Sequence, residues 1–357
     1  MAKFHSIRVA DVYRETKDCS VITFEIPADL RQEFAFRHGQ HLTFKKEIGG
    51  QEVRRSYSLC TTPSSNVWRV AVKRINDGLF SSFVHENLKA GDTLEVMPPT
   101  GVFGVPVDAT KPRHFVFFAA GSGITPILSI LKTHLEQEPQ STAQLFYLNR
   151  SVKSIIFKEE IEQLKNVYFN RFEAFHFLTK EHRNIPLFNG RFTHEKLQTL
   201  TRTLIDVPSV DACFICGPED MIFLIRDELT AAGLERSKIH FELFNTGHSA
   251  ADRQRTERAL EKRVDGTQVT IIDGGKEFHF VMDDDFDNIL DGALAAGADL
   301  PFACKGGVCS TCKCRVVEGS VEMKINYALD ENEVAQNLVL SCQAVPTSGK
   351  VVVDFAV

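Results

Sequence analysis

Long apolar runs are missing from this sequence. The longest, Phe115 to Ala120, is strand-sized and far short of the ~20 residues that a bilayer-spanning helix needs. The opening Met1-Ala2-Lys3-Phe4-His5-Ser6 has no apolar signal-peptide core, so a cytoplasmic protein with no membrane role is expected. A marked excess of one charge is missing too. The chain carries 41 Lys and Arg against 47 Asp and Glu, net −6, which removes the usual electrostatic case for nucleic acid. Internal repeats and low-complexity stretches are absent. With 43 % hydrophobic and 25 % charged residues in 357, this is the composition of a globular protein of two or three domains. An even, dispersed cysteine set is also lacking: there are nine, five of them in the last 54 residues, unlike a secreted disulfide framework.

What is present is uneven. From Arg263 to Val357 there are 15 acidic and 7 basic residues, net −8, which leaves +2 for the rest. Residues 1–108 read as short strands (Val21 to Ile26, Trp68 to Val72) between Gly and Pro punctuation, the pattern of a small antiparallel barrel. From 109 to 245, apolar strands at 115–120, 145–148 and 212–215 alternate with helical stretches at 127–135, 155–165 and 219–232. That alternation predicts a parallel α/β sheet. Residues 246–262 have one large aliphatic, Leu260, and read as a solvated, partly helical linker, with a surface helix as the competing reading. Residues 263–357 open with a hairpin pattern: Val269 to Ile272, then Asp273-Gly274-Gly275, then Phe278 to Val281. A short helix near Ile289 to Ala296 follows.

Cys304, Cys309 and Cys312 follow a C-x4-C-x2-C spacing, and 29 residues separate Cys312 from Cys342. This is the plant-type spacing for a [2Fe–2S] cluster held by four thiolates. The local composition suits it. Gly306 and Gly307 let backbone amides turn toward sulfur, and Ala303, Ser310 and Thr311 let the chain wrap closely. Zinc is the competing metal, but a zinc ribbon wants paired C-x2-C elements ~15–20 residues apart. Cys213/Cys216 and Cys309/Cys312 are 93 apart. Cys314, two past Cys312 on an apparent strand, reads as a buried non-ligand.

The run Ala303-Cys304-Lys305-Gly306-Gly307-Val308-Cys309-Ser310-Thr311-Cys312-Lys313-Cys314 resembles a plant-type ferredoxin domain fused behind a flavin reductase of the ferredoxin–NADP reductase family. Phe4-His5-Ser6, Gly39-Gln40-His41-Leu42-Thr43, Arg54-Arg55 and Val351-Val352-Val353-Asp354-Phe355 extend the resemblance over essentially the whole chain. It implies three domains: an antiparallel β-barrel flavin domain (1–108), an α/β parallel-sheet nucleotide domain (109–245) and, after the 246–262 linker, a C-terminal β-grasp ferredoxin domain (263–357). It also implies FAD, with FMN as runner-up. The activity implied is electron transfer from a nicotinamide to the di-iron oxygenase component of a multicomponent complex. A reductase for another aromatic-ring oxygenase and a redox-sensing iron–sulfur protein are the alternatives. A sensor needs no hydride site.

In that family Arg55, Tyr57 and Ser58 of the R-x-Y-S motif meet the flavin diphosphate, the ring and its reactive nitrogen respectively. Guanidinium geometry suits phosphate. Val72-Lys73 closes a strand, and Gly78, Ser81 and Ser82 open a predicted helix whose N-terminal amides favour the diphosphate. Gly121-Ser122-Gly123-Ile124-Thr125-Pro126 follows a strand and precedes a helix. Gly121 and Gly123 permit a tight turn beside a nucleotide diphosphate, with Thr125 and Pro126 in the first helical turn. By resemblance Cys216, Gly217 and Pro218 border the nicotinamide, and Phe244 covers the flavin until the nicotinamide displaces it. Cys213 and Cys216 form a C-x-x-C, but Cys213 is expected to face into the sheet, which argues against a dithiol. After the strand Leu145 to Leu148, Arg150 and Ser151 stand where the ribose 2′ position is read, with Lys153 beyond and no acid before Glu159. NADPH is therefore expected over NADH. Lone histidines (His114, His134, His182) read as packed or surface residues. Glu173 and His176 make the one E-x-x-H pair, and a di-iron centre needs two plus further glutamates. The oxygen-activating metal is therefore expected in another chain.

Overall fold

The computed structural model describes residues 3–244 and 250–357. Two compact units emerge: His5–Val53 with Tyr57–Phe244, and Arg54–Ser56 with Lys3, Phe4 and the chain from Ala250 onward.

The first unit begins with β1 (His5–Thr16), β2 (Cys19–Glu25), β3 (His41–Ile48), β4 (Gln51–Ser58, of which Arg54–Ser56 group with the second unit), β5 (Trp68–Lys73), α1 (Leu79–Glu86) and β6 (Thr93–Thr100). The sheet runs β4-β3-β6-β1-β2-β5. A bridge between Leu59, just past β4, and Val70 on β5 joins its two edges, so the sheet closes into a barrel. Inward residues such as Ile7, Ile22, Phe44, Val70 and Val96 fill it, and α1 adds Phe80 and Val84. Alternation along the strands provides that apolar interior.

The same unit continues through β7 (His114–Ala120), α2 (Ile124–Gln137), β8 (Thr142–Asn149), α3 (Lys158–Val167), β9 (Phe172–Leu178), α4 (His194–Thr203), β10 (Ala212–Gly217), α5 (Glu219–Ala231) and β11 (Ile239–Leu243). The order is β11-β10-β7-β8-β9, parallel throughout. Helices on both faces leave the central strands without a wet side, so they are continuously apolar. The chain reverses direction across the sheet between β7 and β10, and ligands of such sheets settle at the carboxyl ends there. Glu173 and His176 lie on β9, three positions apart on a strand and so on opposite faces.

The second unit holds α6 (Ala250–Glu261), β12 (Thr267–Asp273), β13 (Lys276–Met282), α7 (Ile289–Ala295), β14 (Lys313–Glu318), β15 (Val321–Met323), α8 (Glu331–Ala335), β16 (Leu338–Leu340), β17 (Ala344–Pro346) and β18 (Lys350–Asp354). The sheet β13-β12-β18-β14-β16 pairs β12 with β18 in parallel and packs α7 on its apolar face. This is the β-grasp arrangement. Gly274 and Gly275, both at positive φ, make the two-residue turn from β12 to β13.

The linker reading changes. Residues 250–261 are one helix, and it is anchored rather than wholly solvated: Asp252 is 1 % exposed and accepts a hydrogen bond from Tyr327 Oη at 2.6 Å. The part of that linker at 246–249 lies outside the described residues. Among the described residues, no helix is long and apolar enough to cross a membrane.

Candidate functional site

β4 carries Arg55, exposed, Tyr57, half-buried, and Ser58, buried. Tyr57 stacks on Phe80 of α1 at 5.7 Å between ring centres, which fixes β4 against the helix whose N-terminus starts after Gly78. Ser81 spends its hydroxyl locally, donating to Gly78 O at 3.2 Å and accepting from Ile75 N at 3.3 Å. It therefore shapes the helix entry, while the half-buried Ser82 stands beside it. β5 ends in buried Val72 and in Lys73, whose ammonium lies 3.7 Å from Asp18 and beside Gly121. The barrel strand and the glycine turn of the parallel sheet thus come together.

Gly121 has φ +54°, a conformation glycine adopts freely, and its carbonyl accepts from Tyr147 Oη at 2.8 Å. Gly123 packs directly on the Cys216 backbone, where any Cβ would collide with the Cys216 carbonyl. Thr125 Oγ1 donates to Ser122 O at 3.0 Å, and Pro126 sits in the first turn of α2, where its missing N–H costs nothing. Gly217 is likewise closed in, by Met221 and Ala120, and Pro218 precedes α5. The two turns form one edge at the carboxyl ends of β7 and β10.

Three groups from distant parts of the chain converge there. Cys216 pairs in register with Glu242 of β11, and Ser58 Oγ donates to Glu242 Oε2 at 3.4 Å. Removal from water pushes the Glu242 carboxyl up to about 8, with the Ser58 hydrogen bond opposing. Burial, reinforced by Glu242, holds the Cys216 thiol well above its ordinary value, so it is neutral. Cys213 is fully buried in the sheet and also raised by burial. Phe244, just beyond β11, is 42 % exposed. Sequence reasoning misses Glu242, although a carboxylate among His240-Phe241-Glu242-Leu243-Phe244 is the signal that marks it.

After β8, Arg150 is exposed, and Ser151 closes a capping box with Ser154. Glu181, 29 positions past Val152, also reaches this loop: its Oε2 accepts from Val152 N at 3.2 Å. Counting acids along the chain could not find it, because β9 delivers it from the neighbouring strand.

In the second unit the four cysteines stand as two thiol pairs. Cys304 is within hydrogen-bonding reach of Cys309, and Cys312 of Cys342, while Cys309 also acts on Cys312. The N–H groups of Gly306, Val308 and Cys309 point at Cys304 Sγ, the first at 3.3 Å. With the Cys309 thiol they hold Cys304 below its ordinary value. Lys305, Gly307 and Ser310 at positive φ make that inward turn. The fourth thiol is brought in by Ser341, whose N–H and hydroxyl both donate to Cys312 O, at 3.1 and 3.0 Å. Among the described residues no three ligand-type side chains form a ready-made site for a single metal ion. Two adjacent thiol pairs, ringed by N–H donors, fit a dinuclear cluster that takes two thiolates on each iron. Cys314 is apart, fully buried on β14 opposite Val339, its thiol raised by burial.

Comparison with known proteins agrees with these three parts. The chain matches the oxidoreductase FAD-binding domain family over residues 6–104, the oxidoreductase NAD-binding domain family over 117–227 and the 2Fe-2S iron-sulfur cluster binding domain family over 271–347. It is 43 % identical to one component of the 1,2-phenylacetyl-CoA epoxidase of Escherichia coli strain K12, covering 99 % of this chain and 98 % of that one. It is 35 % identical to the ferredoxin reductase component of 3-ketosteroid-9-alpha-monooxygenase of Rhodococcus rhodochrous, covering 98 % and 96 %. Phthalate dioxygenase reductase, a solved structure for electron transfer from pyridine nucleotides to [2Fe–2S], shares the fold with a TM-score of 0.59 at 22 % identity, covering 99 % and 98 %.

Proposed function

The chain belongs to the oxygenase reductases of the ferredoxin–NADP reductase family that carry a C-terminal [2Fe–2S] domain, and from that premise we propose that it delivers electrons from NADPH to the di-iron oxygenase component that epoxidises the ring of phenylacetyl-CoA. Bound FAD and the cluster supply the chemistry, converting a two-electron hydride into single electrons. The chain's own residues position and tune. Arg55 and the N-terminus of α1 hold the flavin diphosphate, Tyr57 lies along the ring, and Ser58 donates near its reactive nitrogen. Gly123 and Gly217, lacking side chains, let the two turns pack tightly on their neighbours at the sheet edge where the nicotinamide would bind, and the neutral Cys216 thiol adds no charge to repel hydride. Phe244 covers the flavin until the nicotinamide takes its place. Glu242, its carboxyl protonated at neutral pH, adds no charge to the site and partners the Ser58 hydroxyl. Arg150 and Ser151 receive the 2′-phosphate. Cys304, Cys309, Cys312 and Cys342 ligate the irons.

The observation that carries this reading is the convergence of Ser58, Cys216 and Glu242 beside the two glycine turns, a hydride site that a sensing protein would not need. The 43 % identity to a component of the epoxidase supports the acceptor. The test mixes purified protein, NADPH and the epoxidase oxygenase component and follows loss of phenylacetyl-CoA. Nucleotide-dependent loss is expected. Full cytochrome c reduction with no phenylacetyl-CoA loss would assign the protein to another aromatic-ring oxygenase.

A further inference from the structure

Gln343 follows the fourth thiol and is not a ligand by type, yet it is 5 % exposed in a place where a long polar side chain needs a reason. Its Nε2 donates to Lys305 O at 2.8 Å, inside the loop that carries the first three cysteines. The same nitrogen lies 3.7 Å from Cys342 Sγ, within reach for an N–H to sulfur bond. Its Cγ packs where a Cβ on Gly307 would come within 3.2 Å, so the stem is held as well as the head. Lys305 has φ +50°, a conformation unusual for a side-chain-bearing residue, and the Gln343 bond is one of the contacts that secures it.

We propose that Gln343 is a positioning and tuning residue for the cluster: one amide clamps the loop of Cys304 to Cys312 onto the Cys342 segment and donates to the Cys342 sulfur. This rests on the four-cysteine ligand reading. The physical consequence has a sign. One-electron reduction adds negative charge to the thiolate-ligated centre, and an N–H donor on a ligand sulfur favours the reduced state. Gln343 therefore raises the midpoint potential.

The experiment is a dye-mediated redox titration of the full-length holoprotein, read by absorbance and by the electron paramagnetic resonance of the reduced cluster, independent of turnover. Gln343→Leu keeps size and removes the donor. Gln343→Glu keeps length and puts a donor-free carboxylate there. At the wild-type midpoint the reduced-to-oxidised ratio should fall about three- to tenfold in Gln343→Leu, the worth of one hydrogen bond, and further in Gln343→Glu. Variants with full iron and sulfide and an unchanged midpoint overturn the proposal, even if less heat-stable. Should both variants lose the cluster, wild-type protein with 15N in its glutamine side chains decides. A nitrogen coupling to the reduced cluster in electron–nuclear double resonance supports the donor, and its absence refutes it. Wild-type protein without two irons and two sulfides per chain would instead remove the ligand reading.

Discussion

The proposed hydride site and the proposed cluster site place their chemistry on opposite kinds of backbone. In the first unit, Ser58, Cys216 and Glu242 hang at the ends of regular strands whose amides are already engaged in ladders. In the second, Cys304, Cys309 and Cys312 ride on a loop turned by positive-φ residues, and the N–H groups of Gly306, Val308 and Cys309 point at sulfur. Cysteine shows the difference directly. Cys216 is raised by desolvation; in the loop, Cys304 is held lower by the Cys309 thiol and the amides around it, while Cys309 and Cys312 are raised by their thiol partners. A strand end offers a side chain and a shape. An irregular loop offers its backbone as well, and it fails as a whole. Damage to the loop should thus be all-or-none, and damage to the strand ends graded.

The largest effect tests the loop. Cys312→Ser should lose the cluster and with it cytochrome c reduction, while ferricyanide reduction through the flavin survives. Cys314→Ser, two positions on but on β14 and fully buried, should keep two irons and two sulfides per chain. Metal and sulfide analysis of the two variants is the check. Loss of iron in the second would show that the fourth ligand is misassigned.

Next comes Glu242. The folded protein holds its proton up to about 8, whereas an exposed glutamate releases it near 4.5. Between those values the folded state binds more protons than the unfolded chain, so stability falls as pH rises through the window. Glu242→Gln should flatten that slope in pH-dependent unfolding. It should also abolish the fall in flavin-reduction rate above pH 8, where an ionised carboxylate would repel the incoming hydride, while leaving the rate at pH 7 within a few-fold. Stopped-flow flavin bleaching measures both. An unchanged profile would leave Glu242 a structural acid.

Third is the nucleotide. Charged hydrogen bonds from Arg150, worth about 1.5–3 kcal/mol, should favour NADPH ten- to a hundredfold in kcat/KM. Arg150→Ala should erase most of that gap. Glu181, which the fold brings to Val152 N, opposes the phosphate. Glu181→Gln should raise kcat/KM for NADPH severalfold with NADH unchanged. A wild type that prefers NADH ends this assignment.

What can be read along the chain follows the same division. The cluster spacing is legible because ligands on one loop are neighbours in sequence. The central strands are legible because burial on both faces makes apolar runs. Helix α3 begins at Lys158 rather than 155: Ile155, Ile156 and Phe157 are core residues, and Phe157 takes φ +59° before the helix starts. Helix α4 escapes the sequence pattern, since His194 to Thr203 has four threonine and histidine positions and buries only Leu197 and Leu200. Strand β9 escapes it as well. Glu242, Glu181 and Asp252 matter through partners 29 to 184 positions away, which no local pattern encodes.

Asp252 supplies the smallest test, a graded contact inside the unit where the loop is all-or-none. Its carboxylate accepts from Tyr327 Oη, and Arg255 lies 3.8 Å from the same oxygen. Tyr327 N in turn donates to Gly307 O at 3.0 Å, so the residue that anchors α6 also touches the cluster loop through its backbone. Tyr327→Phe keeps that backbone bond and the ring while deleting the hydroxyl. A hydrogen bond to a charged, buried group is worth about 1.5–3 kcal/mol, and the ion pair with Arg255 offsets part of the loss. A loss of about 1–2 kcal/mol in denaturant unfolding of the holoprotein is expected, with iron, sulfide and cytochrome c reduction intact. If the cluster is lost instead, the boundary between graded and all-or-none lies farther from the thiols than the loop itself, and the contrast between the two backbones must be redrawn to include α6.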